Sequence, residues 1–75
     1  GIKAYEQALP LYVEAIKAGE KDPMVHYRTG VCYQKSSSLS EQVKGIPYFE
    51  FALSSGAKVP NGVIFDLADL YLKDE

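Results

Sequence analysis

Little in this chain of 75 residues invites a chemical reading. It has one cysteine, one histidine, one methionine and no tryptophan. The single thiol, Cys32, closes no internal disulfide, so covalent staples do not hold the fold and the redox compartment stays open. The single imidazole, His26, has no cysteine, acidic or histidine cluster at ligand spacing, which leaves no metal site to read. Charge of one sign is scarce as well: eight Lys and Arg against ten Asp and Glu give a formal net charge of −2. That excludes the basic stripe a nucleic-acid binder needs. The scattered lysines form no polybasic membrane patch. No apolar run approaches the ~20 residues of a membrane span, so direct membrane insertion is not expected. The start lacks the charged, apolar and small-residue regions of a signal peptide. Glycine-rich phosphate loops and nucleophile elbows are missing too.

What is present is the composition of a folded domain, 47% hydrophobic and 24% charged, with apolar residues at helical spacing. Tyr5, Leu9, Tyr12 and Ile16, with Ala8 and Ala15 beside them, make one stripe along a helix over residues 2–18. Gly19 is placed to stop it. Asp22 suits an N-cap and Pro23 a first turn, where a missing N–H costs nothing, so a second helix runs to about Lys35. The serines of residues 36–40 compete for backbone hydrogen bonds and make a loop. Ser38 and Glu41 fit a capping box opening a third helix to about Ser55, which Gly56 closes. A turn at Ala57-Lys58-Val59 leads into Pro60 and a fourth helix to about Lys73. Pro10 and Pro47 would kink long helices, so each is expected in a late or distorted first turn.

Displaced by 37 residues, the chain overlays itself: Pro10 falls on Pro47, Tyr12 on Phe49, Ala15 on Ala52, Gly19 on Gly56 and Pro23 on Pro60. One further residue of offset brings Tyr27 onto Phe65, Gly30 onto Ala68 and Tyr33 onto Tyr71. This internal repeat predicts an all-α fold of four helices, antiparallel pairs of an α-solenoid fragment. Residues 2–19 form the second helix of one unit, 22–56 a full pair, and 60–73 the first helix of the next. Gly30 in mid-helix costs roughly 1 kcal/mol against alanine. Close helix packing must offset that, with Gly45 and Ala52 on the facing helix. Ile64, Leu67, Ala68 and Tyr71 are left awaiting a pairing helix while Val63 and Leu70 pack backward, so self-association or domain swapping through this end is expected. The chain starts and stops inside helical patterns, as a piece of a longer protein would. Lys73-Asp74-Glu75 is read as such an end and not as a retention signal short of its leucine.

The segment HYRTGVCY, His26 to Tyr33, resembles the first-helix signature of tetratricopeptide (TPR) repeats, and GIPYFEFAL, Gly45 to Leu53, their second-helix signature. Gly30, Tyr33, Phe49, Ala52 and Pro60 stand at that pattern's glycine, tyrosine, phenylalanine, late alanine and proline. His26, Thr29 and Gly45 replace its tryptophan, leucine and first alanine, and the serine loop lengthens the unit by about three residues. ALPLY and GIPYF, with GVCY before the latter, are similar to repeats that precede OmpA-like peptidoglycan-binding domains in bacterial envelope proteins. The narrower resemblance implies a periplasmic, outer-membrane-associated setting; the broader one alone implies a cytoplasmic one.

The resemblance implies a non-catalytic protein–protein interaction scaffold. Met24, Tyr27, Val31, Gln34 and Lys35 would line the inner curve of such an array, continued by Phe65, Asp69 and Leu72. An apolar strip with polar edges suits an extended peptide or a helix of another protein. Val31, Asp66 and Asp69 stand where carboxylate-clamping TPR grooves carry basic residues or asparagine, which disfavours that mode. The alternative is a purely architectural spacer between other domains, with no ligand of its own. Neither reading needs a cofactor, a metal or an enzyme. His26 is expected as a packed or half-exposed structural residue and Cys32 as a buried spacer. Glu14 and Glu50 stand on different helices at non-equivalent repeat positions, and Asp66 and Asp69 share a solvated face with Lys73, so no acid–base pair is expected among them. Phe51 lies off the main stripe beside Tyr48, and this aromatic pair is expected to be either a contact surface or, the preferred reading, a face covered by parts outside this chain.

Overall fold

The structure, a computed structural model, describes residues 2–56 and 58–74, the Ile2 side chain excepted. Ala57 of the expected turn and Glu75 of the terminal tripeptide lie outside the described residues. The elements are α1 (Ile2–Lys17), α2 (Pro23–Gln34), α3 (Leu39–Gln42), a 3-10 turn (Val43–Gly45), α4 (Ile46–Ser54) and α5 (Gly62–Lys73), with no strand among the described residues. The fold is all-α, and its third helix is interrupted.

The helix ends follow from local chemistry. Asp22 Oδ1 accepts the Met24 N–H at 2.9 Å, and Pro23 opens α2. Gly19 and Gly56 take φ of 108° and 75°, the left-handed conformation that lets the chain leave α1 and α4.

Three local expectations are corrected. The capping box does not form: Ser38 Oγ is engaged with Ser40 Oγ at 2.8 Å, and the Glu41 carboxylate is held by Lys44 Nζ at 2.8 Å. Neither side chain is free to reach the other's backbone N–H. The expected continuous third helix is broken at residues 43–45, where the Ile46 N–H bonds to Val43 O in the 3-10 pattern. Pro47, lacking an N–H, could not serve that carbonyl, so α4 starts late with proline in its first turn. Pro10 has no such refuge. It lies inside an uninterrupted α1, exposed on the outer side of that helix.

α2 packs against α4 and α1, and α4 packs against α5. The α2–α4 crossing is as close as two glycines allow. A Cβ at Gly45 would lie 2.9 Å from the Gly30 carbonyl oxygen and 3.3 Å from Tyr33 Cβ. A Cβ at Gly30 would lie 2.8 Å from Phe49 Cε1. Phe49 and Ala52 are fully enclosed on α4. The Phe49 ring joins Val63, Leu67 and Leu70 of α5, with Tyr27 and Val31 of α2 packed against the group. Leu67 is thereby corrected. It is buried against the body of the protein and awaits no partner.

Candidate functional site

α1 and α2 line an open apolar cleft of about 340 Å³. Ala4, Tyr5, Ala8 and Tyr12 line it from α1, and Tyr27, Arg28, Val31 and Cys32 from α2. Residues 4, 5, 8 and 12 recur at helical spacing, so small and aromatic side chains alternate along one wall. Arg28 is the one charged residue in this lining. Tyr12, the counterpart of Phe49 in the repeat, is half-buried and lines the cleft, whereas Phe49 is fully buried with Val63, Leu67 and Leu70 of α5.

Of the residues expected to form a groove, Tyr27 and Val31 line this cleft. Both also pack against the buried cluster, and the Tyr27 and Phe49 ring centroids are 6.0 Å apart, so Tyr27 does not face wholly away from α4. Met24 and Gln34 are half-buried and Lys35 exposed on α2 outside the cleft lining. Phe65, Asp69 and Leu72 stand on α5 and are exposed, Phe65 to 74% and Leu72 to 68%. Of the expected groove, only Tyr27 and Val31 belong to the cleft lining. The α1 wall is not legible in the sequence because the stripe that signals it reads equally as core. It stands open because no other described helix lies over it.

The polar groups have structural partners. His26 is buried; its Nε2–H donates to the Glu20 carbonyl at 3.0 Å, which fixes the tautomer, since a carbonyl only accepts. Its ring stacks on Phe51 with centroids 4.0 Å apart. Phe51 stacks on His26 yet stays 36% exposed, and half-buried Tyr48 stacks on Tyr33 with centroids 5.6 Å apart. Thr29, fully buried, donates from Oγ1 to the Val25 carbonyl at 2.8 Å. Burial pushes the Cys32 thiol above its ordinary range, which makes it a poor nucleophile. Burial first, then the neighbouring Tyr48, raises the Tyr33 hydroxyl. Glu50 accepts a hydrogen bond from the Tyr71 hydroxyl, while Glu14 and Asp69 are exposed and Asp66 half-buried.

Among the described residues, no group of three or more His, Cys, Asp or Glu is placed to hold a metal ion. Among the same residues, no helix is long and apolar enough to cross a membrane. Comparison with protein-family models, with curated proteins and with solved structures returned no match.

Proposed function

We infer that this chain is a protein-interaction module of the TPR-like helical-repeat kind, non-catalytic, whose α1–α2 cleft receives an amphipathic helix or apolar peptide segment of another protein. One observation carries the reading. Two aromatic rings and two alanines of α1 face an aromatic–aliphatic wall of α2 across unfilled space, which is the surface a helix lays its apolar face into. The cleft holds one cation and no acidic residue, so segments with an acidic edge fit it best. The resemblance of ALPLY and GIPYF to repeats of bacterial envelope proteins would place such a partner in a periplasmic assembly.

A purely architectural role is favoured by a different observation: Tyr27 and Val31 already pack against the buried cluster and give rigidity without any ligand.

Selection of 12-residue peptides from a displayed random library, followed by nuclear magnetic resonance footprinting, separates the two. Binders whose shifts centre on Tyr5, Ala8, Tyr12 and Tyr27, and which are lost with Tyr12→Ala, uphold the interaction role. An empty selection, or binders that footprint elsewhere, leaves the spacer.

A further inference from the structure

α5 carries a second apolar face. At about 100° per residue, Ile64, Phe65, Ala68, Tyr71 and Leu72 share an arc of about 120°. All five are exposed, Ile64 to 57% and Tyr71 to 46%. The opposite arc of the same helix, Val63, Leu67 and Leu70, is already buried. At the other end of the chain, Leu11 on α1 is 72% exposed beside the cleft residues Ala8 and Tyr12.

These two open surfaces are the halves of an interface that the chain already contains intact. In the repeat, α5 corresponds to α2 and α1 to α4. Ala68 stands where Gly30 does, Ile64 where His26 does, Tyr12 where Phe49 does, and Leu11 where Tyr48 does. Inside the chain those counterparts meet: Gly30 against the Phe49 ring, and His26 and Tyr33 against Tyr48. Each exposed half therefore presents an apolar counterpart of one side of the α2–α4 contact, with Ala68 and Ala8 at the Gly30 and Gly45 positions and Ile64 at that of His26, and with the other side missing among the described residues.

We propose that the cleft of one copy is filled by α5 of a second copy, docked head to tail in the register of α2 on α4 but at a wider spacing, because Ala68 and Ala8 carry the Cβ atoms that the Gly30–Gly45 crossing excludes. This rests on reading the cleft as a seat for a helix and names the helix. In the docked pair Ala68 lies over the Tyr12 ring, and Ile64 packs against Leu11. The two faces differ, so the contact is heterologous. Each added copy presents a new open end, and growth does not close.

The test is sedimentation of the whole chain up to about 1 mM, the weak end of specific association, with variants Ile64→Glu and Leu11→Glu. Both sites are exposed, and circular dichroism checks that the helices remain. The parent's weight-average mass climbs past twice the 8.3 kDa chain as concentration rises. Each variant alone stays at the monomer mass, because one half of every contact carries a carboxylate. An equimolar mixture of the two forms a dimer and stops there, since one intact α5 meets one intact α1. Ala68→Glu reads the same interface independently and also stays monomeric.

A monomeric parent overturns the proposal, as does a mixture that stays monomeric. Leu11→Glu that still dimerises overturns it in favour of an α5–α5 contact or a helix swap. Library peptides that footprint on the cleft while the mixture stays monomeric would sink this proposal and leave the interaction role standing.

Discussion

Replacing Gly30 by alanine sets two effects of opposite sign against each other. Helix propensity alone favours alanine in mid-helix by roughly 1 kcal/mol. The new Cβ, however, would sit 2.8, 2.9 and 3.0 Å from three atoms of the Phe49 ring, a fully buried side chain with no flexible end to move aside. Overpacking of this kind costs about 1–3 kcal/mol. The net expectation is destabilisation of about 1 kcal/mol, read as a fall in Tm of about 4–8 °C for a domain of this size. Gly62 supplies the control. It lies in the first turn of α5, and a Cβ added there would meet nothing within 4 Å, so Gly62→Ala should raise stability by about 0.4–1 kcal/mol. Thermal and urea melts followed by circular dichroism measure both. Combining Gly30→Ala with Phe49→Leu should cost less than the sum of the two, by about 1 kcal/mol, because the smaller side chain yields the space. A Gly30→Ala chain that melts higher than the parent, in step with Gly62→Ala, would refute the close crossing.

Pro10→Ala should stabilise the chain by up to about 3 kcal/mol, since a proline inside an uninterrupted, exposed helix stretch removes a hydrogen bond and crowds the preceding turn; urea melts read this. The Cys32 thiol is buried and held above its ordinary range, so its reaction with a thiol reagent at pH 8 should be slow in the folded chain and fast in urea. Tyr33 is raised above its ordinary 10.0 in the fold. Above that pH the unfolded chain loses a proton that the folded chain keeps, so stability falls as pH rises, and Tyr33→Phe should flatten that fall in melts between neutral and strongly alkaline pH.

The breakers are the most legible part of the sequence. Asp22-Pro23, Gly19 and Gly56 act through backbone conformation alone, and the helices start and stop where they stand. The Gly30–Gly45 approach is legible for a related reason: a glycine in mid-helix is unfavourable unless something comes close to it. What fails are inferences that require knowing which of several partners a side chain takes. Ser38 and Glu41 have the spacing of a capping box, yet Ser40 and Lys44 compete successfully for them. Phe51 reads as unpartnered because its partner, His26, lies on another helix at a distance set by the crossing. Leu67 belongs to an apolar arc on α5 wider than one contact can cover, and periodicity does not say which part faces inward. Pro10 shows the limit of propensity: one proline on an exposed side is outweighed by the apolar stripe opposite it. As for the site, α2's share, Tyr27 and Val31, is readable; the wall from α1 is hidden because a core stripe and an open one are spelled alike.

Whether the α1–α2 cleft is a seat for a helix of α5's kind decides the rest. The direct measurement is a nuclear magnetic resonance titration of isotope-labelled Ile64→Glu chain with unlabelled Leu11→Glu chain. Saturable shifts are expected, confined to the amides of Tyr5, Ala8, Leu11, Tyr12, Tyr27 and Val31, with those of the labelled chain's own α5 unmoved. Shifts centred on α5, or a spectrum that does not change, would contradict the docked helix.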